Sequence, residues 1–149
     1  MKNRNLEHKD DWTTPKDLYD KLNKEFKFDF DPCPLNSTFD GLSIEWGNSN
    51  FVNPPYSKKL KELFVMKAIE ESLKGKMCVL LLPVSTSTKL FHNYILPFMQ
   101  QLRFIKGRVK FEGVNTFGVK VNNKVPMHDS MLVIFNSKSK SNYVFSYEK

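Results

Sequence analysis

The run Met77-Cys78-Val79-Leu80-Leu81-Leu82, opened by Gly75 and closed by Pro83, is apolar without interruption. A strand with one wet face alternates polar and apolar residues, so an unbroken run marks a strand buried on both faces. Such strands sit in sheets covered by helices, and the flanking sequence supplies them. Upstream, Leu60, Leu63, Phe64, Met66, Ile69 and Leu73 predict a helix over 58–74 with one mainly apolar face, stopped at Gly75. Before it, Asn50-Phe51-Val52 reads as a strand halted by Pro54-Pro55. Further back, Phe28-Asp29-Phe30-Asp31 alternates up to Pro32 and reads as a first short strand. Thr13-Thr14-Pro15 predicts a helix start, a hydroxyl cap followed by proline at the first helical position. Leu18, Tyr19, Leu22 and Phe26 carry that helix to about Lys27.

Downstream, a short helix is expected from Thr88 to Leu96, ended by Pro97, then strands at 102–105, 108–111, 130–135 and 143–146. Residues 34–49 read as loop and residues 1–11 as a flexible polar arm, leaving 12–149 as one domain. The expected fold is therefore α/β, with central parallel strands and antiparallel strands at the C-terminal end. Ligands of open sheets bind beyond the carboxyl ends of the strands. Asp31, Asn53 and Pro83 each fall at such an end.

The bulk properties narrow the partners. A net charge of +7 over 149 residues and a pI of about 9.4 favour a polyanion such as nucleic acid, although a solvated lysine-rich surface explains charge alone equally well. Cys33 and Cys78 have no metal-ligand spacing and form no disulfide framework, and His8, His92 and His128 are scattered. No metal site is expected. Met1–Asp11 is charged, unlike a signal peptide, and Val79–Leu82 is too short to cross a bilayer. A soluble, reducing, cytoplasmic setting is the expectation.

Asn53-Pro54-Pro55-Tyr56 carries the chemistry. An Asn at a strand end offers its side-chain carbonyl as an acceptor, and the Pro54 carbonyl offers a second. Pro54 and Pro55 stiffen the turn that holds both oxygens. An amino group donating to both keeps its lone pair aimed towards an electrophile. Tyr56 adds a ring that stacks on a flat base. The bland reading is a diproline turn that merely ends a strand.

This motif resembles the catalytic motif of amino methyltransferases. The chain as a whole resembles the phage-type, Dam-like DNA N6-adenine methyltransferase family. The resemblance rests on Asp11-Trp12-Thr13-Thr14-Pro15, Phe28-Asp29-Phe30-Asp31-Pro32-Cys33, Trp46, Asn53-Pro54-Pro55-Tyr56-Ser57, Lys67-Ala68, Leu81-Leu82-Pro83 and Arg103-Phe104-Ile105-Lys106-Gly107-Arg108. It implies a shortened Rossmann-like class I methyltransferase fold, S-adenosyl-L-methionine as donor, and adenine in double-stranded DNA, flipped out of the helix, as acceptor. The setting would be a host cytoplasm if the chain is phage-encoded.

Carried onto this chain, Asn53 and Pro54 accept from the target amino group and Tyr56 stacks on the base. Trp12, Thr13, Thr14 and Pro15 line the methionine end of the cofactor, with Asp31, Pro32 and Cys33 beside it. Such enzymes usually have a glycine-rich turn and then a second strand ending in an acid. Here the corresponding stretch is Asp31-Pro32-Cys33-Pro34-Leu35-Asn36, followed by Asp40-Gly41. Asp40 is either the acid that meets the ribose or adenine, or a turn former.

Lys106, Arg108 and Lys110, interleaved with Val109 and Phe111, predict a basic strand edge for DNA phosphates, or else a solvated face. Glu112–Pro126 is polar and basic, as a DNA-facing loop would be. Ser85-Thr86-Ser87-Thr88 reads as a helix cap, and Asp29 with Asp31 as a carboxylate pair if both face one side of their strand. The same loop chemistry also suits RNA adenine, cytosine N4 or a glutamine side chain. A non-catalytic nucleic-acid-binding domain of the same fold is the reading from another class.

Overall fold

The computed structural model describes residues 12–114, 120–124, 128–138 and 142–149, and the side chains of 13–111, 128–138 and 142–149. The chain runs through β1 (Trp12–Thr13), α1 (Lys16–Phe26), β2 (Ser49–Val52), α2 (Lys58–Leu73) and β3 (Met77–Pro83). A π-helical segment, Phe91–Ile95, leads into a single α-turn, α3 (Leu96–Phe98). Then come β4 (Gln101–Ile105), β5 (Phe111–Val114), β6 (Lys120–Lys124), β7 (Ser130–Asn136) and β8 (Tyr143–Tyr147).

The main sheet has the order β2-β3-β7-β4-β8. β2 and β3 are parallel, as are β4 and β8, but β7 runs antiparallel to both of its neighbours. The expectation of antiparallel strands confined to one end is thus corrected. The latest apolar strand inserts between β3 and β4, because Met131–Phe135 is buried on both faces and needs a central position. The expected first strand also shrinks. Phe30 alone bridges Asn50, in parallel, with the Phe51 N–H bonded to the Phe30 carbonyl at 3.1 Å. That bridge still brings Asp31 to the same rim as Asn53.

Strand alternation sorts the core into two layers. Val52, Cys78, Leu80, Leu82, Met131, Val133 and Phe135 pack with Phe64, Val65, Ala68 and Ile69 of α2. Phe51, Val79, Leu81, Leu132 and Ile134 pack with Leu18 and Leu22 of α1 on the other face. Each fully buried side chain of this kind contributes about 1.5–3 kcal/mol. The continuous run of β3 is therefore explained: one helix covers each face.

A second, three-stranded sheet has the order β1-β5-β6. The expected strand at 108–111 shifts to Phe111–Val114, so Lys106, Arg108 and Lys110 lie in the connection that precedes it. Gly107 takes φ +75 there and turns the chain away from β4. Buried Val109 and Phe111 bracket exposed Lys110, an alternation that joins a ladder only at Phe111, opposite Lys124. The helix expected to stop before Pro97 continues to Phe98. Leu96 donates to the Phe91 carbonyl, five residues back. The wider turn accommodates a proline ring that would crowd the carbonyl four residues earlier.

The long 34–49 loop is pinned from inside. Trp46 is buried, its Nε1 donates to the Gly41 carbonyl at 2.7 Å, and its N–H donates to Glu71 Oε1 at 2.6 Å. A Cβ on Gly41 would lie 1.8 Å from the Pro32 carbonyl oxygen, so only glycine lets the loop return this closely.

Candidate active site

Asp31, Asn53 and Pro83 stand along one rim, as their strand ends require. Below part of that rim lies a cavity of about 260 Å³. Thr13, Thr14, Lys16 and Tyr19 wall it from the start of α1, while Asp31, Cys33 and Leu35 come from the turn after Phe30. Phe51 and Asn53 close it from β2 and the turn beyond it. Three separated stretches singled out in the sequence, Thr13-Thr14, Asp31 to Cys33 and Asn53, are thereby brought together. The pairing of β1 with β5, Trp12 opposite Gly113 and Thr13 opposite Glu112, holds the first of them in place.

Thr14 is the informative wall residue. Its hydroxyl was expected to cap α1, yet Pro15 occupies the N-cap and no side-chain cap bond forms. Thr14 is only 8% exposed, and its Oγ1 has no hydrogen-bond partner among the described residues. A buried hydroxyl left unpaired costs stability unless a ligand satisfies it.

Asp31 is the second unusual group. Burial raises its carboxyl pKa to about 6, against a smaller lowering effect of the Cys33 N–H, which donates to Oδ1 at 2.9 Å. An ionised Asp31 at neutral pH is thus a poorly solvated anion on a cavity wall, a suitable partner for a bound cation. Tyr19 lies edge-on to Phe51, ring centroids 5.3 Å apart. Its phenol pKa is raised by burial and then by Asp31 and Asp20.

The Asn-Pro-Pro-Tyr turn is well seated. Pro54 and Pro55 are buried and Asn53 is half-buried. Tyr56 is half-buried, packed against the α1-side core and edge-on to Phe111 at 5.8 Å, and burial raises its phenol pKa so that it stays neutral.

Other sequence-derived residues separate from this cluster. Pro32 is buried beneath the turn, and Pro15 serves as the cap residue of α1. Only the backbone of Trp12 is described, in β1. Asp40 is exposed and acts as a turn former, its Oδ1 accepting from the Leu42 N–H at 3.0 Å. Asp29 does not pair with Asp31, because its carboxylate accepts from the Ser49 and Asn48 backbone N–H groups. Thr88 caps the segment ahead of it, accepting from the Phe91 N–H at 3.2 Å. Lys106 pairs with Glu148 and Arg108 with Asp129, each at 3.4 Å and well exposed, while Lys110 is exposed. The expected arm at 1–11, and residues 115–119 and 125–126 of the expected DNA-facing loop, lie outside the described residues.

The cavity also uses residues that the sequence reading did not single out for binding. Lys16, Leu35 and Phe51 are new, and Tyr19 had been read only as a helix-face apolar residue. The signal for Tyr19 was its position, one turn after Pro15 on the face that meets Phe51. No described helix is long and apolar enough to cross a membrane, and the described residues contain no group of three or more metal-ligating side chains. No individually curated protein matches the chain significantly. The profile of the family described as DNA N-6-adenine-methyltransferase (Dam) matches residues 2–149. The chain belongs to that family of DNA adenine methyltransferases.

Proposed function

We propose that the protein transfers a methyl group from S-adenosyl-L-methionine to N6 of adenine in DNA, with the base turned out of the duplex. The convergence of unpaired Thr14, desolvated Asp31 and the acceptor Asn53 on one cavity carries this reading. The layered sheet, with its site at the carboxyl ends of parallel strands, supports a shortened Rossmann-like methyltransferase fold.

The residues present fit the cofactor's methionine end. Asp31 offers a carboxylate to its ammonium, and the Thr14 hydroxyl offers a donor to its carboxylate. When bound, the cofactor supplies an electrophilic methyl on a sulfonium. The chain's own contribution is to orient the acceptor. Asn53 Oδ1 and the Pro54 carbonyl accept hydrogen bonds from the two N6 protons, which favours a pyramidal nitrogen and tolerates developing positive charge, and one of these protons passes to solvent as the nitrogen gains the methyl. Holding that nitrogen in line lowers the entropic part of the barrier. Extruding the base costs a few kcal/mol, offset in part by stacking on Tyr56.

Tritiated methyl transfer from labelled cofactor to DNA, RNA and protein, with nucleoside analysis, tests the proposal. Label recovered as N6-methyladenine from DNA is expected. Label confined to RNA, cytosine or protein would exclude it.

Asp31 adds a pH signature. Its folded pKa lies above the ordinary 3.8, so its ionisation destabilises the empty protein as pH rises through about 6, and a bound cation recovers that loss. Affinity for the cofactor is therefore expected to weaken as pH falls from 7 to 5. In Asp31→Asn the affinity is lower and flat across that window. Calorimetry at several pH values measures both; an unchanged slope in the variant would remove Asp31 from the ammonium site.

A further inference from the structure

A larger cleft, of about 510 Å³, opens on the other face of the sheet at the same rim. Its floor is apolar, formed by Leu82, Leu90, Ile95 and Met131 of the α2-side core. Its margin carries Lys58 and Lys61 from α2 and Lys89 ahead of the π-helical segment, against a single carboxylate, Glu62. None of the three lysines has an ion-pair or hydrogen-bond partner among the described residues, whereas Lys67, Lys74 and Lys76 on the far side of α2 or beyond it all engage Glu71.

Two features distinguish this margin from an ordinary solvated face. The first turn of α2 contains lysines and no acid, the reverse of what its macrodipole favours. Helix formation therefore does not account for them. Burial also lowers the Lys61 pKa, ahead of the opposing effect of Glu62. The half-buried Ser85 hydroxyl adds a donor at the margin, since Thr88 rather than Ser85 supplies the cap. Cations and a hydroxyl without partners among the described residues, set over an apolar floor, match an anionic group attached to a flat apolar one.

We propose that this cleft holds a second nucleotide of the DNA strand, not the adenine that is methylated. Lys58, Lys61 and Lys89 take its phosphate, and the floor takes its unstacked base. Lys58 follows Tyr56 by two residues, so a strand crossing the rim meets Tyr56 on one face and the cleft on the other. The proposal rests on the DNA reading above and gives the strand a grip on both sides of the target base.

The test measures DNA affinity by fluorescence anisotropy across a salt series, with KM and kcat for methyl transfer, in three variants of matched thermal stability. Lys61→Gln/Lys89→Gln should raise KM for DNA on the order of tenfold and lower the slope of log affinity against log salt by about 1. Its kcat at saturating DNA should be retained. Lys59→Gln, whose exposed side chain lies on the same turn outside the cleft, should change these values much less. Ser85→Trp fills the cleft without altering charge and should also raise KM.

Equal losses in the double variant and Lys59→Gln, or wild-type behaviour of either cleft variant, would overturn the second-nucleotide site. Failure of the wild-type protein to methylate DNA would instead overturn the activity on which it rests.

Discussion

Asn53→Ala is expected to lower kcat by on the order of 10²–10³-fold while leaving the cofactor dissociation constant within a few-fold of wild type. The magnitude follows from removing one preorganised polar group aimed at charge that develops in the transition state. The selectivity for kcat follows from the position of the residue. Asn53 lies just beyond β2, half-buried, between buried Val52 and buried Pro54, so truncating it removes an acceptor without opening the core. It shares the cavity with Thr14 and Asp31, whose proposed contacts to the cofactor survive the change. Labelled-methyl kinetics measure the first quantity and calorimetry the second. Asn53→Asp keeps an acceptor oxygen of the same reach and should retain more turnover than alanine. If Asn53→Ala keeps more than about a tenth of wild-type kcat, the two-acceptor mechanism is wrong.

Glu71→Ala is expected to destabilise the fold by about 3–5 kcal/mol, the range for leaving one side of a buried ion pair uncompensated. Glu71 is fully buried on α2. It accepts from Lys74 and Lys76, both at 2.8 Å, and from the Trp46 N–H at 2.6 Å. Burial alone would raise its pKa. The bonds from Lys74, Lys76 and Trp46, with the nearby Lys67 charge, outweigh burial and hold it down at about 2. Removing the carboxylate takes the buried anion from the 14%-exposed Lys67 and Lys76 ammoniums, with Lys76 keeping the Trp46 carbonyl and the exposed Glu45, and strands a buried Trp46 N–H. For a chain of this size the melting temperature should fall by roughly 10–15 °C, read by calorimetry or circular dichroism. The contribution is complete above the ordinary value of 4.5 and is lost as pH falls towards about 2, so wild type and variant should converge in acid. A loss under about 1 kcal/mol would show that the lysines solvate themselves and that the network is incidental.

Glu71 reaches the Asp31 side of the cavity through the loop at 34–49. Trp46 bonds Glu71 at one end and Gly41 at the other, and Gly41 lies against Pro32, next to the Asp31 turn. Part of the support for the cavity beside Asp31 therefore sits in the α2-side core.

How much of this was legible in the sequence depends on whether the signal was local. β3 announced itself through six unbroken apolar residues, and α1 and α2 through their spacing. The Asn-Pro-Pro-Tyr turn was legible because two prolines end a strand wherever they fall. The neighbours of a strand are not written in its own residues. Met131–Phe135 signals burial on both faces, but nothing in it specifies insertion between β3 and β4. Arg108–Phe111 misled for a related reason: Val109 and Phe111 are both buried, which mimics strand alternation, while Gly107 turns the backbone away from β4 and the ladder begins only at Phe111. Thr14 was misread because a threonine before proline usually caps, and only the folded backbone shows Pro15 in that role. Lys58, Lys61 and Lys89 are indistinguishable in sequence from solvated lysines until the cleft between their elements is seen.

The central place of β7 also bears on how the protein is made. Its register pairs Met77 with Asn136 and Pro83 with Ser130, so β3 leaves the ribosome long before the strand that completes it. At ordinary translation rates the delay is on the order of seconds. During that interval one edge of the most apolar strand has no partner, a state prone to pairing with other chains. Expression at reduced temperature, or with added chaperone capacity, should therefore raise the soluble yield far more than any change to the surface.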